Sequence, residues 1–384
     1  MQPKLFAAIS AALALCLCFS LGGSPLPAKA APGQAAESPL RLGYCESDPY
    51  VEFDTQLYYL LLGMEEYGLV SGVAGLVNKG MSAAELWQTV SAANAPGWKV
   101  NFVKDAYVSL SDSRFRDSAQ AGQIIEELIA KNDVALMLTM GTSGGLAIAG
   151  LASQTPLVNF VAADPYKAGI VAGTETSGIA GRWAHVDVNA FNRTIEVMAD
   201  IFKPESVGVV YANNSDAYVY SGADVLDVFC GQNGIAVHRQ FVEDEFDEAA
   251  YGEYVQQLYE AHAALAGDID VYILTTSLLE PGDYAYVLEP LFARNIPVYS
   301  INSSYDVEYG ALLAAESSDF PNIGRFGADA LRRYLGGEAL EELPQVYQTA
   351  PFLVINYSTA RKIGYRPSFD MLLSASTIYI EAKE

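Results

Sequence analysis

Apolar residues along the chain recur in two alternating patterns. Short continuous apolar runs at 40–45, 99–103, 134–139 and 157–162 are separated by stretches whose apolar positions repeat every three or four residues, at 50–67, 118–129 and 146–152. The runs predict buried strands and the stretches predict helices, with Leu57, Leu60, Leu61 and Met64 on one face of the first. A second series follows. Strands are expected at 207–211, 236–241, 271–275 and 298–301, and helices at 220–233, 248–265 and 284–294, with Gly234 placed to stop the first of these helices. Buried strands alternating with helices of this length build parallel sheets covered on both faces, so the expected fold is α/β with two similar lobes.

One apolar stretch lies outside this scheme. Residues 5–21 follow Lys4, end at Gly22 and Gly23, and lead through Pro25 and Pro27 into Ala28, Lys29 and Ala30. That order describes a secretory signal peptide cleaved near Ala30, and the run is short for a bilayer span. Cys16 and Cys18 sit inside the apolar run with a leucine before each, which argues against a lipid-anchored start. The mature chain is therefore expected in the periplasm, and it is long enough for two compact domains. The 384-residue sequence carries a formal net charge of −24, which disfavours nucleic acid and anionic lipid as partners. Only Cys45 and Cys230 remain after cleavage. That count excludes a four-cysteine zinc site and leaves a disulfide between the two open.

In sheets of this kind, small ligands bind beyond the carboxyl ends of the strands. The residues expected there are Glu46 and Ser47, Gly141, Thr142 and Ser143, Ala163 and Asp164, residues 211–215 with Asn213 and Asn214, residues 275–277 with Thr276, and residues 302–304 with Asn302. Nearly all are small or hydrogen-bonding, as suits a polar solute, although strand-end loops are commonly polar and many such residues only cap helices. Residues 141–145 also fit G-x-S-x-G on a strand-turn-helix, the nucleophile elbow of hydrolases. An acyl-transfer site would need a histidine late in the domain. His185, His238 and His262 are the only histidines, more than a hundred residues follow the last, and His262 is expected on a helix surface. The alternative is a helix start whose N–H groups, with the Thr142 and Ser143 hydroxyls, hold a carboxylate without catalysis. Neither a P-loop nor a G-x-G-x-x-G fingerprint follows the first strand. The acidic residues Glu243, Asp244, Glu245, Asp247 and Glu248 lack the alternation and central glycine of a calcium loop and suit a helix N-terminus. No cofactor or metal is expected.

Three segments carry a resemblance. Gly141-Thr142-Ser143, Thr155-Pro156-Leu157-Val158-Asn159-Phe160 and Asp164-Pro165-Tyr166-Lys167-Ala168-Gly169-Ile170-Val171 together resemble the core of a family of solute-binding proteins of ABC transporters that includes tryptophan- and tyrosine-binding members. Residues 206–215 resemble a strand and loop of the same family, and residues 352–365 resemble its C-terminal segment nearly residue for residue. The resemblance runs from about Leu40 to the end of the chain. It implies a type I periplasmic binding fold of two α/β lobes joined by three crossovers near Asp164, Val298 and Glu338. The first lobe would comprise residues 40–163 and 300–336, and the second 178–297 and 347–384. Residues 70–98 exceed the family's usual link and are expected to form an added surface element. The end of the first strand, Cys45-Glu46-Ser47-Asp48-Pro49, departs from the family's pattern and leaves the solute open.

By the same resemblance, the protein would capture a small organic solute between its lobes and deliver it to an ABC permease, as a monomer and with no chemical step. An aromatic amino acid is the first candidate. Thr142 and Ser143 would hold a carboxylate, and Glu46 or Asp164 would meet an ammonium group. From the second lobe, Arg182 would make a two-point carboxylate contact and Trp183 would stack on a flat ligand or else pack in the core. His185, Asn213, Asn214 and Thr276 complete that side. Tyr44, Tyr50, Tyr218 and Tyr305 near strand ends point to an aromatic-lined pocket. Two other classes stay open: a binding subunit of a membrane sensory system, and a secreted hydrolase using Ser143.

Overall fold

The computed structural model describes residues 38–115, 118–187, 189–243, 250–275, 279–301, 304–316 and 319–381. The expected signal peptide, with its cleavage site near Ala30, lies outside the described residues, as do residues 244–248 of the acidic run. No helix among the described residues is long and apolar enough to cross a membrane.

Two sheets organise the chain. The first contains β1 (Leu40–Glu46), β2 (Val100–Ser109), β3 (Leu136–Met140), β4 (Leu157–Phe160) and β5 (Arg182–Ala184), all parallel, in the order β2-β1-β3-β4-β5. Its helices are α1 (Val51–Glu66), α2 (Ala83–Ala93), α3 (Ser118–Lys131) and α4 (Gly141–Ala149). Every residue of β3 and β4 is buried, as continuous apolar strands covered on both faces should be. The second sheet contains β6 (Ser206–Ala212), β7 (Ala236–Val242), β8 (Val271–Leu274), β9 (Val298–Ser300), β10 (Leu313–Glu316), β11 (Phe352–Asn356) and β12 (Ala375–Tyr379). Their order is β12-β11-β10-β9-β8-β6-β7, and only the β10–β11 pair is antiparallel. The remaining helices are α5 (Ala190–Phe202), α6 (Ser215–Tyr220), α7 (Ala223–Asn233), α8 (Tyr251–Leu265), α9 (Tyr284–Val287), α10 (Glu289–Phe292), α11 (Ser304–Tyr309), α12 (Phe320–Leu335), α13 (Tyr357–Lys362) and α14 (Phe369–Ser374). The helix expected at 284–294 divides into α9 and α10 where Pro290 withholds an N–H.

The boundaries between the sheets differ from the expected ones. Strand β5 belongs to the first sheet, so the first passage between lobes follows Ala184 rather than Asp164. Strand β10 pairs with β9 and β11 in the second sheet, so residues 300–316 do not return to the first lobe. The return comes with α12, which packs along α1. Its buried positions Ile323, Gly324, Gly327, Ala328 and Leu331 repeat at helical spacing, while Arg325, Asp329 and Arg332 face outward. A Cβ on Gly324 would lie 2.5 Å from the Tyr59 carbonyl carbon, so glycine is what lets the two backbones approach.

Residues 70–98 are not a surface addition. Val70, Val73, Leu86, Trp87, Val90 and Trp98 are buried in the first-lobe core, and the Trp87 indole N–H donates to the Val103 carbonyl at 3.0 Å. Helix α2 starts on a capping box in which Ser82 and Glu85 satisfy each other's backbone N–H groups. The disulfide does not form either: Cys45 and Cys230 are both free and buried, in the first and second lobes respectively.

The passages between lobes are bonded to one another. Val186 bridges to Val346, its N–H donates to the Gln345 carbonyl at 2.9 Å, and the Trp183 indole N–H donates to Pro344 at 2.8 Å. The fully buried Gln345 side chain accepts from Ala184 N–H and donates to the Gly173 carbonyl.

Candidate ligand cavity

The carboxyl ends of both sheets open onto one cavity of about 420 Å³ lined from both lobes. Its first-lobe wall is built where β1 runs into α1 and β3 runs into α4. Gly141 has φ +74° and sits against Phe53, whose ring a Cβ there would meet at 2.6 Å, so only glycine joins β3 to α4 at this point. A Cβ on Gly144 would meet the Cys45 carbonyl oxygen at 3.0 Å, and one on Gly145 would meet Asn159 Nδ2 at 2.7 Å. The glycines of G-x-S-x-G thus serve close packing of α4 on the strand ends. Asn159 secures the same corner by donating to Thr139 Oγ1 at 2.9 Å and to the Gly141 carbonyl at 3.0 Å. Thr142 and the exposed Ser143 are left at the helix start, on the cavity. No hydrogen bond joins Ser143 to a histidine among the described residues; His185 Nε2 is engaged with the Tyr347 carbonyl and His262 Nδ1 with the Val287 carbonyl.

Backbone strain marks the adjoining strand end. Val161, which lines the cavity just after β4, has φ +55°, a region that β-branched residues rarely occupy. Such a conformation costs on the order of 1–3 kcal/mol and is retained where surrounding structure imposes it.

Of the expected residues, Ser47, Gly141, Thr142, Ser143, Ala163 and His185 line the cavity, as do Tyr211, Ala212 and Thr275 at the second-lobe strand ends. Glu46 does not. It is fully buried beneath the wall, where Tyr44 donates to Oε2 at 2.8 Å and Tyr107 to Oε1 at 2.5 Å. The register explains this, since an irregularity in the β1–β2 pairing sets Tyr44 opposite Tyr107 and stacks their rings 5.1 Å apart on the face of Glu46. Burial raises the Glu46 pKa to about 7 against the pull of both tyrosine hydroxyls, with Asp54 and Asp48 adding to the rise.

Asp164 is turned to its own loop, accepting from Lys167 N–H at 2.8 Å and pairing with the Lys167 ammonium. Arg182 spends its guanidinium on the Ile170 and Ala149 carbonyls, at 3.1 and 2.7 Å, because β5 carries it into the first sheet. Trp183 has no exposed surface and packs against Phe160 and Phe326, which places it in the core. Asn213 is exposed and away from the cavity, and Asn214 caps α6 by accepting from Ala217 N–H at 2.7 Å. Thr276 and Asn302 lie outside the described residues. Tyr50 lines the cavity, whereas Tyr44 is buried below it and Tyr218 and Tyr305 pack against Tyr211 and Tyr309 within the second lobe.

Much of the lining was not anticipated. Helix α1 contributes Glu52, Phe53 and Gln56, and the second lobe contributes Phe191, Tyr220, Tyr254, Tyr272 and His262. Gln56 offered a signal: it interrupts the apolar face of α1 between Phe53 and Leu57, and it is fully buried with neither amide atom paired. His262 is no surface residue. It is wholly buried on α8 with its ring edge-on to Tyr272 at 4.5 Å, and burial lowers its pKa to about 4. The cavity's charged lining is acidic: Asp48, Glu52, Asp187 and Glu243, of which Asp187 is paired with Arg193 at 2.6 Å. No lysine or arginine lines it among the described residues, so an anionic group on a ligand would have to be met by hydroxyls and the α4 N-terminus.

Comparison with known proteins agrees with this architecture. A family model described as ABC transporter substrate binding protein matches residues 103–378. Among solved structures, an ABC domain from Streptococcus pneumonia in complex with L-Trp is 15% identical, covers 89% of this chain and 100% of its own, and superposes with a TM-score of 0.66. A conserved domain protein from Vibrio cholerae is 19% identical over 88% of this chain and 99% of its own, with a TM-score of 0.64. The ligand-free, open structure of a substrate binding protein with adhesive properties from Clostridium difficile is 17% identical over 89% and 99%, with a TM-score of 0.61. At these identities the likeness carries the fold, a type I periplasmic binding architecture. No curated protein matches the sequence.

Proposed function

The chain belongs to the family of ABC transporter substrate-binding proteins, and on that premise we propose that it captures an aromatic amino acid, or a zwitterion of similar size, between its lobes and delivers it to a membrane permease. The family is one of binding proteins rather than enzymes. The observation that carries the reading is the cavity itself, with a helix N-terminus and hydroxyls on one wall and aromatic rings on the other. Its volume of about 420 Å³ suits a small organic solute. The N–H groups at Gly141 to Ser143 would take the carboxylate, and Asp48 or Glu52 the ammonium. The rings of Phe53, Phe191 and Tyr211 would cover the apolar end. Binding would favour a closed arrangement of the lobes, which a permease could distinguish from the open one. A monomer exported to the periplasm by cleavage near Ala30 is the form in which this would occur.

A thermal-shift screen of the mature protein against amino acids, aromatic acids, nucleosides and sugars tests the reading. A solute at 100 times its dissociation constant adds about 2.7 kcal/mol to stability, which raises the melting temperature visibly. Shifts confined to aromatic amino acids are the expected result. Shifts given only by sugars or nucleosides, or by no compound, would sink the amino-acid assignment.

A further inference from the structure

The inner end of the cavity runs into the second lobe, where α8 faces β6 and β8 and the walls are Tyr254, Leu258, Tyr272 and Leu274. One polar group is out of place in that apolar setting. His262 has no exposed surface, and its Nε2 has no hydrogen-bond partner. The other ring nitrogen settles the tautomer: Nδ1 lies 2.8 Å from the Val287 carbonyl, which can only accept, so Nδ1 carries the proton. Nε2 therefore bears a lone pair. Burial keeps the ring neutral at pH 7, with a pKa lowered to about 4, so Nε2 remains an acceptor. The edge contact with Tyr272 and the Val287 bond fix the ring's orientation. A fully buried acceptor left without a donor is costly, and such groups in native proteins call for an explanation.

We infer that His262 Nε2 accepts a hydrogen bond from an N–H or O–H on the apolar end of the solute, so that the site selects hydroxyl-bearing or N–H-bearing aromatics over their donor-free analogues. The inference rests on the solute-binding reading above and adds a specificity-determining residue to it. A site that hydrogen-bonds a solute donor discriminates strongly against the analogue lacking it, because the buried partner is then left unpaired.

Calorimetric titration of the full mature chain with two matched pairs provides the test: L-tyrosine against L-phenylalanine, and L-tryptophan against 1-methyl-L-tryptophan. In at least one pair, the donor-bearing member is expected to bind at least about tenfold more tightly. His262→Phe, which keeps a ring against Tyr272, should erase that ratio, and His262→Gln, which returns an acceptor near the same place, should restore part of it. Equal affinities within both pairs for the native protein would overturn the role of His262 while leaving the aromatic-solute reading intact. A ratio that survives in a folded His262→Phe variant would also overturn it. If none of the four compounds binds, the aromatic-solute reading fails, and the inference fails with it. Should His262→Phe not fold, His262→Leu, which also removes the acceptor, takes its place in the same comparison.

Discussion

The first lobe meets the cavity with a tightly packed helix start and its short polar groups beside Tyr50, Phe53 and Gln56, whereas the second meets it mostly with rings. Gly141, Gly144 and Gly145 bring α4 close against Phe53, Cys45 and Asn159, with Thr142 and Ser143 at the helix start on the cavity. Across the cavity, Phe191, Tyr211, Tyr254 and Tyr272 offer faces and edges, with His262 as the unpaired polar atom among them. Beneath their strand ends, however, the lobes are alike. Among the described residues each buries a carboxylate held by two hydroxyls: Glu46 by Tyr44 and Tyr107, and Asp306 by Tyr284 and Ser300 at 2.6 Å each. The shared architecture supplies a cavity between two strand-end walls, and a few side chains decide what each wall can recognise.

The largest effect should come from breaking the first-lobe corner. Gly141→Val combines a left-handed backbone with a clash against Phe53, and we expect a loss of about 4 kcal/mol in urea unfolding. A loss below about 1 kcal/mol would mean that the corner relaxes freely and does not hold α4 in place.

The paired carboxylates allow the lobes to be compared directly. Burial raises Glu46 from 4.5 to about 7 and Asp306 from 3.8 to about 6. A raised carboxyl pKa means that the folded state holds its proton longer than the unfolded one, so stability is full below the unfolded value and falls as pH rises to the folded one. Glu46→Gln should therefore remove a fall between pH 4.5 and 7, and Asp306→Asn a fall between pH 3.8 and 6, each of up to about 3 kcal/mol. His262 acts in the opposite sense. Its lowered pKa makes stability decline as pH drops from 6.5 towards 4. Denaturation midpoints measured from pH 4 to 8 check all three, and a Glu46→Gln profile parallel to that of the native protein would refute the first.

The smallest change is expected at Val161. Relief of its left-handed conformation should offset the added chain entropy of glycine, leaving Val161→Gly within about 1 kcal/mol of the native protein. A larger loss would show that the side chain's packing, not the backbone, governs this strand end.

Local pattern was enough to read the alternation of strands and helices, and it located β1, β3, β4, β6, β8 and β9 to within a few residues, because a strand buried on both faces is apolar throughout. The glycine-bracketed start of α4 was legible for a similar reason: a chain turning from strand into helix at close quarters needs glycine there whatever the rest of the fold does. Strand β9 was legible in the apolar run at 298–301, but β5 was not. Its three residues begin with arginine and form no apolar run, so Arg182 and Trp183 were expected in the cleft although pairing with β4 takes both into the first lobe's structure. Helix α12 returns to the first lobe because Gly324 fits against the α1 backbone and Gly63 of α1 fits against the α12 backbone, a match between positions far apart in sequence. The identity of the buried polar atoms was likewise decided in three dimensions. His262 looks like a surface residue among alanines until Val287 and Tyr272 enclose it, and Glu46 looks like a cleft ligand until two tyrosines claim both of its oxygens. Sequence by itself determined that the continuous apolar strands must be buried, since their burial follows from local hydrophobicity, but it did not place residues 70–98, which only packing puts in the core. Only the tertiary structure decided which polar groups remain unpaired, because hydrogen-bond partners come from wherever the packing brings the chain together.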